Sequence, residues 1–367
     1  MKKIILSKPI ININTANKIF KDVLKSTFVN EGEQTRKFEK KICNFLDVKY
    51  AVSTTSGTTA LFLALKACGI KNNDEVIIPN ITFPATANAI KMAGGKPVFV
   101  DVNPEDILID EKSLIKKITK KTKFIIPVHV SGRGRNIKKI LKICKNKSIK
   151  IIEDAAEAFG SKINNKNLGT FGQAGCFSFA PNKIITTGQG GVVVTNNLKI
   201  YKMLKILKDQ GRIGPTSGGE DNYVSLGYNL KFTNLQSSLG LSQIYELNWR
   251  IDKLIKIHQF YKKNIIENKN FRIINFKINK GELPLWTDVW CNKRNQLFKF
   301  LEKNDVICRY YWKPLNTNKP YLSSFKNLDN SKKLQKKLMW LPSSLDITIK
   351  EQKKVCNLIN SFYQNAL

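Results

Sequence analysis

From about residue 50 to residue 200, short apolar runs alternate with stretches whose apolar residues recur at helical spacing. Ala51-Val52-Ser53 reads as a strand end, followed by a helix from Gly57 to Cys68. Further strands are expected at Glu75–Ile78, Pro97–Val100, Phe124–Val128 and Ile149–Ile152. Between the last two, Ile137, Ile140, Leu141 and Cys144 give one apolar helix face. Cys176-Phe177-Ser178 and Gly191-Val192-Val193-Val194 read as a further pair of strands around a glycine-rich turn. Strands interleaved with helices predict a parallel α/β sheet.

The segment Ile200–Asn268 reads as mainly helical, interrupted by a polar, glycine-rich loop from Gly211 to Asp221. A strand at Arg272–Ile274, another near Leu285–Val289, and helices at Lys293–Lys303 and Ile349–Tyr363 predict a smaller α+β unit. The expected division is a large, mostly parallel-sheet domain over 1–250, with N-terminal helices, and a small α+β domain over 251–367.

Length and composition narrow the class. The chain has 367 residues, 42% of them hydrophobic, enough for a large core. No apolar run reaches the roughly 18 residues of a membrane span. The apolar start at Ile4-Ile5-Leu6 is cut short by Pro9 and Asn12, too early for an export signal, so a cytoplasmic protein is expected. Seven scattered cysteines without a C-x-x-C pair, and only two histidines, point to neither a disulfide framework nor a metal centre. The formal charge of +34 is spread through every segment rather than gathered into an arm or stripe. It therefore reads as compositional, not as a nucleic-acid surface, although it favours the approach of small anions.

Three segments carry candidate chemistry. Ile151-Ile152-Glu153-Asp154 puts Asp154 at the carboxyl end of a buried strand, the edge where parallel sheets bind ligands. A helix N-cap is the competing reading of the same residue. Thr55-Ser56-Gly57-Thr58-Thr59 opens a helix straight after a strand, which leaves backbone N–H groups free for a phosphate. Ser178-Phe179-Ala180-Pro181-Asn182-Lys183 sets a lysine between a strand and a flexible turn. Desolvated, such an amine attacks a carbonyl. No complete Rossmann or Walker pattern is present.

In this order the motifs resemble the sugar-nucleotide aminotransferases of the DegT–StrS family, pyridoxal phosphate enzymes of fold type I. The resemblance runs nearly end to end. It takes in Phe38-Glu39, Ser56-Gly57-Thr58, Gly69 to Pro79, Thr82-Phe83-Pro84-Ala85-Thr86-Ala87 and Pro127-Val128-His129. It continues through Glu153-Asp154-Ala155-Ala156-Glu157-Ala158, Phe177-Ser178-Phe179, Lys183 and Gly227-Tyr228-Asn229. The resemblance implies that Lys183 carries pyridoxal phosphate as a Schiff base and serves as the acid–base. Asp154 pairs with the pyridine nitrogen, Phe83 stacks on the ring, and Glu157 lies near the ring hydroxyl. Ser56, Gly57, Thr58 and Ser178 hold the phosphate, and Asn229 reaches it from the second subunit of a homodimer with shared active sites. His129, Lys231 and Arg309 are the implied substrate contacts.

Pro284–Asp288 and Cys308–Leu315 resemble the branch acting on nucleotide-linked 4-keto-6-deoxyhexoses, including perosamine synthases; the aromatics there read as core. The implied reaction moves an amino group from an amino acid, L-glutamate being the expected donor, to a nucleotide-linked keto-sugar for surface polysaccharide such as O-antigen. Amination at carbon 3, a dehydratase of the same fold and a non-catalytic regulator are the alternatives. The known dehydratase type has histidine at the Schiff-base position, so Lys183 argues against it. Two departures stand out. Lys231 replaces the family's usual Arg and loses its bidentate fork. Arg133 and Arg135 make the segment after His129 unusually basic: either they face a nucleotide diphosphate or they belong to the general cationic excess.

Overall fold

Strands in the first half of the chain are buried on both faces rather than alternating, the pattern of a sheet covered by helices on each side. The computed structural model describes residues 3–214 and 220–364. Its first strands are β1 (Tyr50–Thr54), β2 (Glu75–Pro79), β3 (Lys96–Val100), β4 (Thr122–Ile125) and β5 (Lys150–Asp154). A short hairpin of β6 (Lys162–Ile163) and β7 (Lys166–Asn167) follows, then β8 (Ala174–Ser178) and β9 (Gly191–Thr195). Seven of these form one sheet in the order β1-β9-β8-β5-β4-β2-β3. Strands β8, β5, β4, β2 and β3 run parallel, as expected.

The edge differs. β9 is antiparallel to β8, and β1 is antiparallel to β9, so the first strand of the chain sits outside the parallel run. The reason lies in the connection. Parallel neighbours need a crossover, usually a helix. Between β8 and β9 there is only the loop from Phe179 to Gly190, tied by the Thr187 amide to the Phe179 carbonyl at 3.0 Å. The chain therefore turns straight back, and Lys183 rides on that turn. The register then places Ser178 opposite Gly191, and Gly191 opposite Thr54. That brings the start of the helix Gly57–Ala67 beside Ser178. In this helix Ala60 through Leu65 are all buried, as befits a helix enclosed by the sheet and its neighbours.

β10 (Arg212–Ile213) and β11 (Asn222–Tyr223) form a small ribbon; residues 215–219 of the expected Gly211–Asp221 loop lie outside the described residues. β12 (Phe271–Ile273), β13 (Thr287–Cys291), β14 (Arg309–Tyr310) and β15 (Leu338–Leu341) make a second, antiparallel sheet in the order β12-β13-β15-β14. The helices Arg294–Lys303 and Ile349–Gln364 contribute to its core. Ile4 joins that core too, through hydrogen bonds with Asp305 and Ile307 at 2.8 Å each. The long helix Leu247–Asn264 runs across residue 250 without a break.

Candidate active site

Asp154 is the last residue of β5 and only 5% exposed, facing a cavity of about 280 Å³ at the carboxyl edge of the sheet. Thr86 donates its hydroxyl to Oδ2 at 2.7 Å, and the Ala156 amide donates to Oδ1 at 3.2 Å. Among the described residues no cation stands within ion-pair distance of this carboxylate, although Lys183 is close enough to lower its pKa. Burial wins: it pushes the Asp154 carboxyl above its ordinary value, against the pull of Thr86, Ala156 and Lys183.

Lys183 reaches the same cavity from the β8–β9 loop. Its Nζ donates to Glu157 Oε1 at 3.2 Å, both side chains being largely buried. The other oxygen of Glu157 accepts the Ser131 amide at 2.9 Å, and Trp286 Nε1 approaches Oε1 at 3.4 Å.

The same cavity is lined by the start of a helix. Ser56 caps the helix Gly57–Ala67 in a reciprocal box with Thr59. The amides of Gly57 and Thr58 have no intramolecular acceptor among the described residues. Gly57 is required here, since a Cβ on it would lie 2.8 Å from the Ser178 Cβ. Ser56, Gly57, Thr58 and Ser178 all line the cavity. Phe83 stands over it, 51% exposed, with its ring centroid 6.2 Å from that of Trp312. Arg309 lines the cavity too.

The other residues expected at the site lie elsewhere. His129 is buried, with Nε2 2.8 Å from Glu153 Oε2, and does not line the cavity. Asn229 is exposed on the chain after β11, its backbone bridged to Asp209, and Lys231 Nζ pairs with Asp209 at 2.7 Å. Arg133 and Arg135 do not face a ligand in this cavity. Arg133 is fully buried against Asp288, and Arg135 is held by Glu282 at 2.9 Å and by the Asn275 carbonyl at 2.7 Å.

Sequence reasoning passed over several wall residues. Thr86 lay inside a quoted motif without a role. Trp286 is a core residue, as expected, but it also lines the cavity, as do the buried Trp340, which the sequence did not single out, and the half-buried Trp312. A core indole and a wall indole leave the same trace in a sequence.

A mostly parallel sheet that delivers a buried carboxylate and a loop lysine to one cavity, beside an unsatisfied helix N-terminus, defines a pyridoxal phosphate transferase of fold type I. The chain belongs to the DegT/DnrJ/EryC1/StrS aminotransferase family, which matches residues 11–360, and so to a family of pyridoxal-phosphate-dependent sugar aminotransferases. It is 34% identical over 353 residues to the GDP-perosamine synthase of Escherichia coli O157:H7, covering 94% of each chain. It is 31% identical over 355 residues to a UDP-4-amino-4,6-dideoxy-N-acetyl-beta-L-altrosamine transaminase of Campylobacter jejuni, covering 94% of this chain and 93% of that one. Among solved structures, Helicobacter pylori PseC, an aminotransferase of pseudoaminic acid biosynthesis, superposes with a TM-score of 0.92. The two are 25% identical, and the match covers 99% of this chain and 100% of that one. No helix among the described residues is long and apolar enough to cross a membrane.

The cofactor that the family implies fits the residues present. A buried carboxylate with no ion-pair partner among the described residues suits a protonated pyridine nitrogen, and two amides beside Ser178 that find no acceptor among those residues suit a phosphate.

Proposed function

We propose that the chain transfers the amino group of an amino acid, L-glutamate being the expected donor, to the keto carbon of a nucleotide-linked 4-keto-6-deoxyhexose. The product would enter surface polysaccharide. The observation that carries this reading is the meeting of Lys183 and Asp154 in one cavity beneath the Ser56–Thr58 helix start. Bound there, pyridoxal phosphate supplies a conjugated electron sink. Asp154 holds positive charge on the ring nitrogen, because an unpaired buried carboxylate is stabilised by any cation that reaches it. Ser56, Gly57, Thr58 and Ser178, which line the cavity, would hold the phosphate, and Phe83 would pack against the ring. Lys183 would anchor the cofactor and would move the proton at the donor's α-carbon; general acid–base catalysis of this kind contributes about 10²–10⁴-fold. Arg309, which also lines the cavity, would contact the substrate's diphosphate.

The enzyme works as a homodimer with shared sites, in which Asn229 and Lys231 face the partner's cavity rather than their own. Support comes from the exposed apolar side chains beside Asn229: Tyr223 is 58% exposed, Val224 51% and Leu226 79%. Contiguous exposed apolar surface of this kind marks interaction sites. The 1–250 division would be the large cofactor-binding domain and 251–367 the small α+β domain.

Purified protein loaded with cofactor, treated with borohydride and digested should yield one labelled peptide, the one containing Lys183. A label on any other lysine ends the assignment. Incubation with glutamate and a panel of GDP-, UDP- and dTDP-linked keto-sugars should yield an amino sugar; no amination across the panel sinks the reading. Mixing Lys183→Ala with Asn229→Ala chains should restore one site in two. No recovery, with subunit exchange demonstrated, places Asn229 in its own chain's site.

A further inference from the structure

A second buried carboxylate lies one layer behind the cavity. Asp288, on β13, is fully buried and paired with Arg133, itself fully buried. Arg133 donates Nε to the Asp106 carbonyl at 2.8 Å and reaches the Tyr311 hydroxyl at 3.3 Å. A buried ion pair is a poor source of stability, since a well-packed apolar pair of the same volume often does as well. Its position is what distinguishes it. Asp288 Oδ1 accepts the Ser131 hydroxyl at 2.9 Å, and the Ser131 amide is the donor to Glu157 Oε2.

Ser131 is held in the left-handed region, with φ 54° and ψ 15°, a conformation that a serine keeps only when its surroundings enforce it. Three groups from the second sheet and its approach do so: the Asp288 carboxylate, the Trp340 indole N–H at 3.3 Å from the Ser131 hydroxyl, and the Leu285 amide at 3.0 Å from its carbonyl. The left-handed turn aims the Ser131 amide at Glu157. With Oε2 occupied, Glu157 is left with Oε1 facing the amine of Lys183.

We propose that Asp288, seated by Arg133, is a positioning residue that acts through Ser131 to hold Glu157 against Lys183, so that the second sheet sets the geometry of the reactive lysine. This rests on the reading of Lys183 as the reactive amine. The charged groups facing that amine are Glu157 and Asp154 at and after the end of β5, with Arg309 lining the same cavity. Asp288 touches neither Lys183 nor the cavity. Its influence passes through two hydrogen bonds.

The test uses the full-length chain without cofactor. Lysines are acetylated with limiting acetic anhydride, and Lys183 is read by peptide mass spectrometry against the other lysines of the same sample. A hydrogen-bonded, ion-paired amine is a poor nucleophile, so Glu157→Gln should raise the relative rate at Lys183 by roughly five-fold. Asp288→Asn and Ser131→Ala should each raise it by roughly three-fold or more, and neither should add to Glu157→Gln in the double variants. An unchanged Lys183 rate in the single variants overturns the proposal. So does an increment of equal size in the Glu157→Gln background, because Asp288 would then act independently of Glu157. Should Asp288→Asn fail to fold, Ser131→Ala decides alone, since it cuts the link and leaves the ion pair in place. Reconstitution with pyridoxal phosphate separates the two readings. A chain that never gains a visible absorption band refutes the proposed function, while the acetylation rates still decide the role of Asp288.

Discussion

Glu153 and Asp154 are neighbours on one strand and point to opposite faces of the sheet, and their surroundings differ as much as two buried carboxylates can. Glu153 is saturated. It accepts the amides of Gly169, Phe171 and Gly172 at 2.9, 2.6 and 2.8 Å and meets His129 Nε2 at 2.8 Å. It fastens the Gly169–Gly172 loop under the sheet and has nothing left to offer. Asp154 has one hydroxyl, one long amide contact and no ion-pair partner among the described residues, with its open side toward the cavity. Asp288 resembles Glu153 in this respect, with Arg133, Ser131 and Tyr311 about it. A carboxylate whose partners the chain itself supplies belongs to the framework. One left short of partners at a cavity is set for charge arriving from outside.

The largest expected effect that would break this contrast is on turnover. Asp154→Asn should lower kcat of the loaded enzyme by a hundred-fold or more, about 3 kcal/mol of lost electrostatic stabilisation, with the fold intact by circular dichroism. Near-normal turnover with cofactor bound would put Asp154 in the framework class.

The framework side predicts the converse. Glu153→Ala leaves one buried and two half-buried amides without an acceptor and should destabilise the chain by about 3 kcal/mol in urea unfolding. The fraction that remains folded should keep its kcat. A stable Glu153→Ala protein with impaired chemistry would reverse the two roles.

A smaller effect concerns pH. Burial raises the folded-state pKa of Asp154 above its unfolded value. The stability this gives the cofactor-free chain is present while the group is protonated, and is lost as pH rises through the raised value. Asp154→Asn escapes that loss. Its cofactor-free Tm should therefore exceed that of the parent by about 1–2 °C at neutral pH, with the gap closing below about pH 4. Scanning calorimetry at two pH values measures it, and a parent chain as stable as the variant at neutral pH would show that Asp154 is not short of partners. Adding pyridoxal phosphate should reverse the order, because the cofactor stabilises only the parent's ionised carboxylate.

Much of the cavity was legible because its residues are local. Asp154 ends a strand, Ser56–Thr58 begin a helix, and Lys183 follows a strand, each within a few residues of the signal that marks it. The walls were less legible. Leu338–Leu341 was missed as a strand because all four residues are buried and show no alternation, and two lysines and a proline flank them. The Trp340 it carries thus reached the site unannounced. The role of Thr86 depends on a hydrogen bond to Asp154 across the sheet edge, and no spacing in the sequence encodes it. The Arg133 and Arg135 segment was open between a ligand role and general excess, and only their buried partners Asp288 and Glu282, far along the chain, resolve it.

By itself the sequence determined the class of fold, the edge of the sheet where the cavity opens, and several of the residues that line it. Periodicity, helix caps and short motifs are properties of neighbours in the chain. Only the tertiary structure decided which carboxylate is satisfied and which is not, and that β1 pairs antiparallel with β9 at the edge of the sheet. It alone set a buried Arg–Asp pair behind Glu157. Hydrogen bonding and burial depend on what packs against a residue from remote segments, and two adjacent acids on one strand are told apart by the face each one occupies.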